Sequence, residues 1–226
     1  MKNFDKREIR LREKLLAYGA EKLSDAELLA VLISSGSKGR TCLQLAEDLL
    51  KQFGDLRAIL NADLSHFKKV SGLGNVRYVQ LQAAHEICKR NDFIHLRKEN
   101  QLTHSQQACI YLKRKLRDKK NETFAAIFLD TQYHIISYEE LFNGTINATV
   151  VHIRPILDRI LKLNAAAVIL AHNHPSGVSE ASSFDREITE KIKEALSLVD
   201  AKLLDHLVIG DNEVYSILHD SKWECM

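Results

Sequence analysis

Apolar residues recur at helical spacing through the first hundred positions. After Ser24, Leu28, Leu29, Leu32 and Ile33 share one side of a 3.6-residue period, and after Thr41 so do Leu45, Leu49 and Leu50. Ser24 is followed three places on by Glu27, and Thr41 by Gln44. Each hydroxyl can then cap the backbone N–H groups that open a helix, while the later side chain returns a bond. Glycines at 36 and 39, and at 72 and 74, separate these helices. Between about 91 and 103 the periodicity fades and polar residues dominate. That fading predicts a linker between a helical domain over 1–95 and a second domain over 102–226.

The second stretch is patterned differently. A basic helix is expected over 105–119, then apolar strands over 123–129 and 133–138 joined by a turn. Pro155 can open a helix over 156–163, because its missing N–H would be unpaired there in any case. Residues 165–171 read as a buried strand. An amphipathic helix is expected over 183–199, with Ile188, Ile192, Ala195, Leu196 and Val199 on one face. Strands over 203–209 and 214–218 flank Gly210-Asp211-Asn212 as a hairpin. The fold class is therefore an all-helical domain followed by an α/β domain, α+β overall, with no internal repeat.

Composition narrows the choices. The chain has 226 residues, 45% hydrophobic and 27% charged, which excludes disorder as its main description. Its longest apolar run, 165–171, falls far short of the roughly 18 residues of a membrane span. The charged opening lacks an apolar core, so no secretory leader is expected. Cys42, Cys88, Cys109 and Cys225 are too widely spaced for a zinc knuckle or a small disulfide scaffold. A reducing cytoplasm is the natural compartment. The net charge of +2 combines a cationic first half with an acidic second half, as expected of two units with different partners.

The sharpest chemical feature is Ala171-His172-Asn173-His174-Pro175-Ser176-Gly177. Side chains alternate along a strand, so His172 and His174 project to one side and Asn173 to the other. Two neutral imidazoles at a strand end can bind a divalent metal. Asp185, in the first turn of the next helix, can fold back as a third ligand, leaving one position for water. An HxH pair alone is a weak signal, and Ser182-x-x-Asp185 is also an ordinary capping box.

Taken together, His172-Asn173-His174-Pro175 with Ser182 and Asp185 resembles the signature of the JAB1/MPN/Mov34 (JAMM) metalloproteases. The flanking AAAVILAHNHPSG and LLDHLVIG are similar to the bacterial RadC family. The resemblance implies a JAB1/MPN, cytidine-deaminase-like α/β domain with a mixed sheet. It implies a zinc metallopeptidase or isopeptidase holding one catalytic Zn2+ through His172, His174 and Asp185. In that pattern Ser182 matches the serine that steadies the oxyanion, and Glu122 matches the general base, with Glu139 and Glu140 as rivals. The substrate would be a peptide or protein that the sequence does not name. His206 is expected as a hydrogen-bonded core residue near the site, and His85, His95, His104 and His219 as surface residues.

Val70-Ser71-Gly72-Leu73-Gly74-Asn75-Val76-Arg77 resembles the hairpin of helix-hairpin-helix modules. The glycines allow a tight turn, and the helix that follows offers free N–H groups to a phosphate. Lys68, Lys69, Gly72, Gly74, Asn75 and Arg77 are the candidate contacts to DNA, all to its backbone. Tyr78 stands where a small residue is usual. Two functions compete: the metallopeptidase, and a non-catalytic DNA-binding accessory protein in repair or recombination. A metal-dependent nuclease is set aside, since HNH nucleases spread their residues over a ββα element.

Overall fold

The computed structural model describes residues 6–98, 105–144 and 151–223. The chain divides into two compact units, Met1–Cys88 and Lys89–Met226.

The first unit is helical: α1 (Lys6–Tyr18), α2 (Asp25–Ile33), α3 (Cys42–Phe53), α4 (Leu56–Leu60), α5 (Leu64–Phe67) and the start of α6 (Asn75–Lys98). Both capping boxes form. Ser24 and Thr41 accept from the backbone N–H of Glu27 and Gln44, and both return bonds are made. The apolar stripes meet in one core in which Leu29, Ile33, Leu45, Leu49, Phe67 and Leu81 are buried.

Helix α6 corrects the expected linker, because it runs on through residues 91–98. No glycine or proline interrupts the chain from Asn75 to Lys98, and charged side chains there are compatible with a solvated helix. The fading apolar pattern therefore did not mark an end to the helix, and Phe93 within it packs against Tyr111. The division between units falls inside α6.

The second unit is a six-stranded mixed sheet with helices on both faces. Its strands are β1 (Thr123–Leu129), β2 (Ile135–Asn143), β3 (Ala167–Asn173), β4 (Lys202–Ile209), β5 (Val214–Ser216) and β6 (Ser221–Trp223). They lie in the order β2-β1-β3-β4-β5-β6, and only β3 and β4 are parallel. Helix α7 (Ser105–Leu116) covers one face, where Leu112 and Leu116 pack on Ile127, Ile169 and Leu207. Helices α8 (Ile153–Leu163) and α9 (Ser183–Ser197) cover the other, where Ile156, Ile160, Ile192 and Leu196 pack on Phe128, Val168 and Leu170. Every residue of β1 and β3 is buried. Covered on both faces, these strands carry unbroken apolar runs where a half-exposed strand would alternate. Pro155 lies in the first turn of α8, as expected, and β6 is a strand the sequence pattern did not mark.

One irregularity shapes the site. Val168 pairs with Leu203, but Ile169 pairs with Asp205, so Leu204 is an extra residue in β4. The bulge resets the alternation. Leu203 faces α9, Leu204 and Leu207 face α7, and His206 returns to the α9 side.

Cys42 and Cys88 are free, while Cys109 is disulfide-bonded, which the wide spacing did not anticipate. No helix among the described residues is long and apolar enough to cross a membrane.

Candidate metal centre

The site lies where β3 ends. Its ladder is extended one residue further by His174, whose N–H donates to the Ile209 carbonyl at 3.1 Å. His172 and His174 thus project to one side, as the alternation requires. The Ser182 capping box opens α9, with the hydroxyl accepting from the Asp185 N–H at 3.1 Å. That cap fixes the first turn of α9 and turns the Asp185 carboxylate towards the histidines.

The three side chains converge. His172 Nε2 lies 3.1 Å from His174 Nε2 and 3.5 Å from Asp185 Oδ1, and His174 Nε2 lies 3.9 Å from Asp185 Oδ2. One ligand atom from each falls within 4.8 Å of the others. Ligand atoms about 2.05 Å from a tetrahedral zinc ion lie about 3.3 Å apart, so these separations bracket a zinc-sized site. His174 Nδ1 lies 3.0 Å from the Val178 carbonyl, an acceptor only. Nδ1 therefore carries the proton, and in the neutral ring Nε2 is bare and faces the centre. Burial lowers the His172 pKa, and His174 lowers it further against an opposing pull from Asp185, so this ring is neutral at pH 7. Two imidazole nitrogens and one carboxylate suit a zinc ion.

Glu122 stands half-buried immediately before β1. Burial raises its carboxyl pKa, with His174 pulling it down and Asp185 pushing it up. Its charge is therefore felt at the cluster. The rivals are engaged elsewhere. Glu139 forms an ion pair with Arg159, whose Nε donates to it at 2.7 Å, and Glu140 pairs with Lys119 at 2.8 Å. Ser182 stands at the site with its hydroxyl occupied, donating to Asp185 Oδ2 at 2.6 Å. In this state the serine orients the Asp185 carboxylate.

Two residues escaped the sequence reading. Asn173 is fully buried on the opposite face of β3. Its Oδ1 accepts from the Thr123 N–H at 2.8 Å, and its Nδ2 donates to the carbonyls of Lys119 and Asn121 at 3.2 and 3.4 Å. One amide so pins the backbone on both sides of Glu122. Thr189, one helical turn after Asp185, contacts His206 Nδ1 at 2.6 Å, and His206 Nε2 contacts His172 Nδ1 at 2.8 Å. The only signal for Thr189 was its spacing of four from Asp185. His206 is buried and hydrogen-bonded, as expected, and one of its partners is the proposed ligand His172. His219 is exposed, 3.9 Å from the buried Asp205 carboxylate. His85 is partly buried, and the side chains of His95 and His104 lie outside the described residues.

In the helical unit the hairpin forms as expected. Gly72 has φ +89°, and a Cβ there would come within 2.3 Å of Ser37 Oγ, so both conformation and space require glycine. Gly74 faces open space, and Asn75, Lys68 and Lys69 are exposed. Arg77 has a different task from the one expected. Its guanidinium donates to the carbonyls of Ser35 at 2.8 Å, Gly36 at 2.7 Å and Gly72, stapling two loops together. Tyr78 fits by packing edge-on against Phe67 and donating to the Ala62 carbonyl at 3.2 Å.

The RadC-like JAB domain family model matches residues 102–223, and the UPF0758 N-terminal model matches residues 1–79. A UPF0758 protein of Legionella pneumophila is 65% identical over 215 residues, 95% of each chain. One from Aliivibrio fischeri is 47% identical over 209 residues, covering 92% of this chain and 93% of its own. Another, from Shewanella frigidimarina, is 48% identical over 205 residues, 91% of each.

Proposed function

Because the chain belongs to the RadC-like JAB-domain family, we propose that its second unit is a zinc-dependent amide hydrolase, a metallopeptidase or isopeptidase. One observation carries this reading. Three ligand atoms from His172, His174 and Asp185 converge within 4.8 Å, with the half-buried Glu122 carboxylate in their field.

The chain's own groups divide the work. His172, His174 and Asp185 would hold the ion. When bound, zinc supplies Lewis-acid polarisation of the scissile carbonyl and brings the pKa of a water to about 7. Glu122 takes a proton from the attacking water and later delivers it to the departing amine. Its raised pKa suits a group that must hold that proton between the two steps. The Ser182 hydroxyl, released from Asp185, donates to the developing oxyanion. Asn173 keeps Glu122 in place by clamping the backbone on either side of it.

The test begins with metal content. One equivalent of zinc in the native chain, lost in His172→Ala/His174→Ala, is expected. Glu122→Gln should keep the zinc and lose hydrolysis of a fluorogenic peptide library. No zinc in the native chain, or full hydrolysis by Glu122→Gln, overturns the reading. A non-catalytic accessory protein would be indifferent to Glu122→Gln.

For the helical unit we propose attachment to DNA through its phosphates, supported by the open approach at Gly74 and the exposed Lys68 and Lys69. Lys68→Ala/Lys69→Ala should flatten the dependence of duplex binding on salt by about two charges. Binding that ignores salt argues against it.

A further inference from the structure

The histidines of the proposed centre need more than position. Each imidazole must direct a bare nitrogen, not an N–H, at the ion, and a histidine has two tautomers to choose between. The hydrogen bonds behind His172 form a chain whose polarity can be worked out from its far end.

That end is the backbone carbonyl of Asp185, which can only accept. The Thr189 hydroxyl, one turn later, donates to it in the i−4 manner. A hydroxyl has one proton, and this bond uses it. The 2.6 Å contact between Thr189 Oγ1 and His206 Nδ1 must then be made by the imidazole, with Nδ1–H donating. In the neutral ring His206 Nε2 carries no proton and accepts. The 2.8 Å contact to His172 is therefore donated by His172 Nδ1–H. The other nitrogen of His172, Nε2, is left bare and faces His174 and Asp185. All the side chains in this chain are buried, with Thr189 and His206 at 0% exposure. The Phe124 ring lies parallel to His172 within 5° and edge-on to His206. Burial on that side withdraws these nitrogens from bulk solvent.

We infer that His206 and Thr189 are positioning residues for the metal centre: they lock His172 as the Nδ1–H tautomer with Nε2 aimed at the ion. The same acceptor-only logic holds for His174, whose Nδ1–H is taken by the Val178 carbonyl. Two backbone carbonyls, in helix α9 and in the loop after β3, thus decide which nitrogen of each ligand is available. The relay also ties Asp185 to His172, because Thr189 anchors on the Asp185 backbone. A partner of this kind behind a ligating histidine changes metal affinity by about 10–100-fold.

This inference rests on the zinc reading, and the experiment separates the two. Zinc affinity is measured by competition with a chromophoric chelator for the full-length native chain, Thr189→Val, Thr189→Ser, His206→Leu and His206→Gln. Valine and leucine remove the relay at similar volume, whereas serine keeps the hydroxyl and glutamine keeps an acceptor towards His172. Thr189→Val and His206→Leu should bind zinc about 10–100-fold more weakly, and Thr189→Ser and His206→Gln within a few-fold of native. Zinc bound by the native chain and equally by Thr189→Val and His206→Leu overturns the relay and leaves the zinc site standing. No zinc bound by the native chain overturns both. Should the apolar variants not fold, long-range 1H–15N spectra of the metal-free native chain read the tautomer directly. His172 as Nδ1–H supports the relay, and His172 as Nε2–H overturns it.

Discussion

Replacing Asn173 by alanine tests whether one amide holds Glu122, the proposed general base, in place. The side chain is fully buried and makes three hydrogen bonds to backbone groups of residues 119–123. Its loss strands the Thr123 N–H, in a residue only 1% exposed, at about 1–3 kcal/mol. The Lys119 and Asn121 carbonyls border solvent and regain water, so each loses about 0.5–1 kcal/mol. The sum is about 3 kcal/mol. At a urea dependence of about 2 kcal/mol/M this lowers the midpoint by about 1.5 M. The chain's single tryptophan, Trp223, lies on β6. Its fluorescence therefore follows unfolding of the second unit alone. Hydrogen exchange at Thr123 should accelerate in step. Asn173→Asp keeps the Thr123 bond but sets an anionic oxygen against two carbonyls. Its pKa rises in the folded state, so stability lost at pH 7 should return as pH falls towards 4. A midpoint shift below about 0.5 M in Asn173→Ala, with Thr123 exchange unchanged, refutes the clamp.

Three further outcomes are expected. Burial raises the Glu122 pKa in the folded chain, so stability falls as pH rises from the ordinary glutamate value through the raised one. Metal-free Glu122→Gln should therefore match native stability near pH 4 and exceed it at pH 7, and melting curves showing the reverse would contradict the burial argument. Arg77→Ala breaks the staple between the 35–36 loop and the hairpin. It should destabilise the helical unit by about 2 kcal/mol and speed amide exchange in α2 and α3, whereas loss of DNA affinity with unchanged exchange would mean the guanidinium is free for phosphate. Gly72→Ala must place a Cβ against Ser37 at φ +89°, so it should cost about 1–3 kcal/mol by the same measurement, and a neutral result would deny the conformation.

Much of this protein is legible one residue at a time. Ser24, Thr41 and Ser182 announce their helices because a capping box is a local bond between residues three apart. The strands β1 and β3 announce themselves because a strand buried on both faces carries a near-continuous apolar run, here 124–129 and 167–171. His172 and His174 share a side because the strand period is two. Where the apolar pattern thins it misleads, as at residues 91–98, which remain helical.

Tertiary structure decided what depends on partners far apart in the chain. The family resemblance put Glu122 ahead of Glu139 and Glu140, but no local signal says which of the three carboxylates is engaged elsewhere. Arg159 and Lys119 engage the other two, and Asn173, fifty residues beyond Glu122's neighbour Thr123, holds the first. Strict alternation would put His206 on the opposite face of β4 from Leu203. The extra residue at Leu204 reverses that, and a bulge is set by how two strands pair, which neither strand encodes alone. Arg77 reads as a cation for phosphate until the loop at 35–36 is folded against it. Local bonds and periods are written in the chain; the direction of a proton on His172 is settled only when three distant elements close around it.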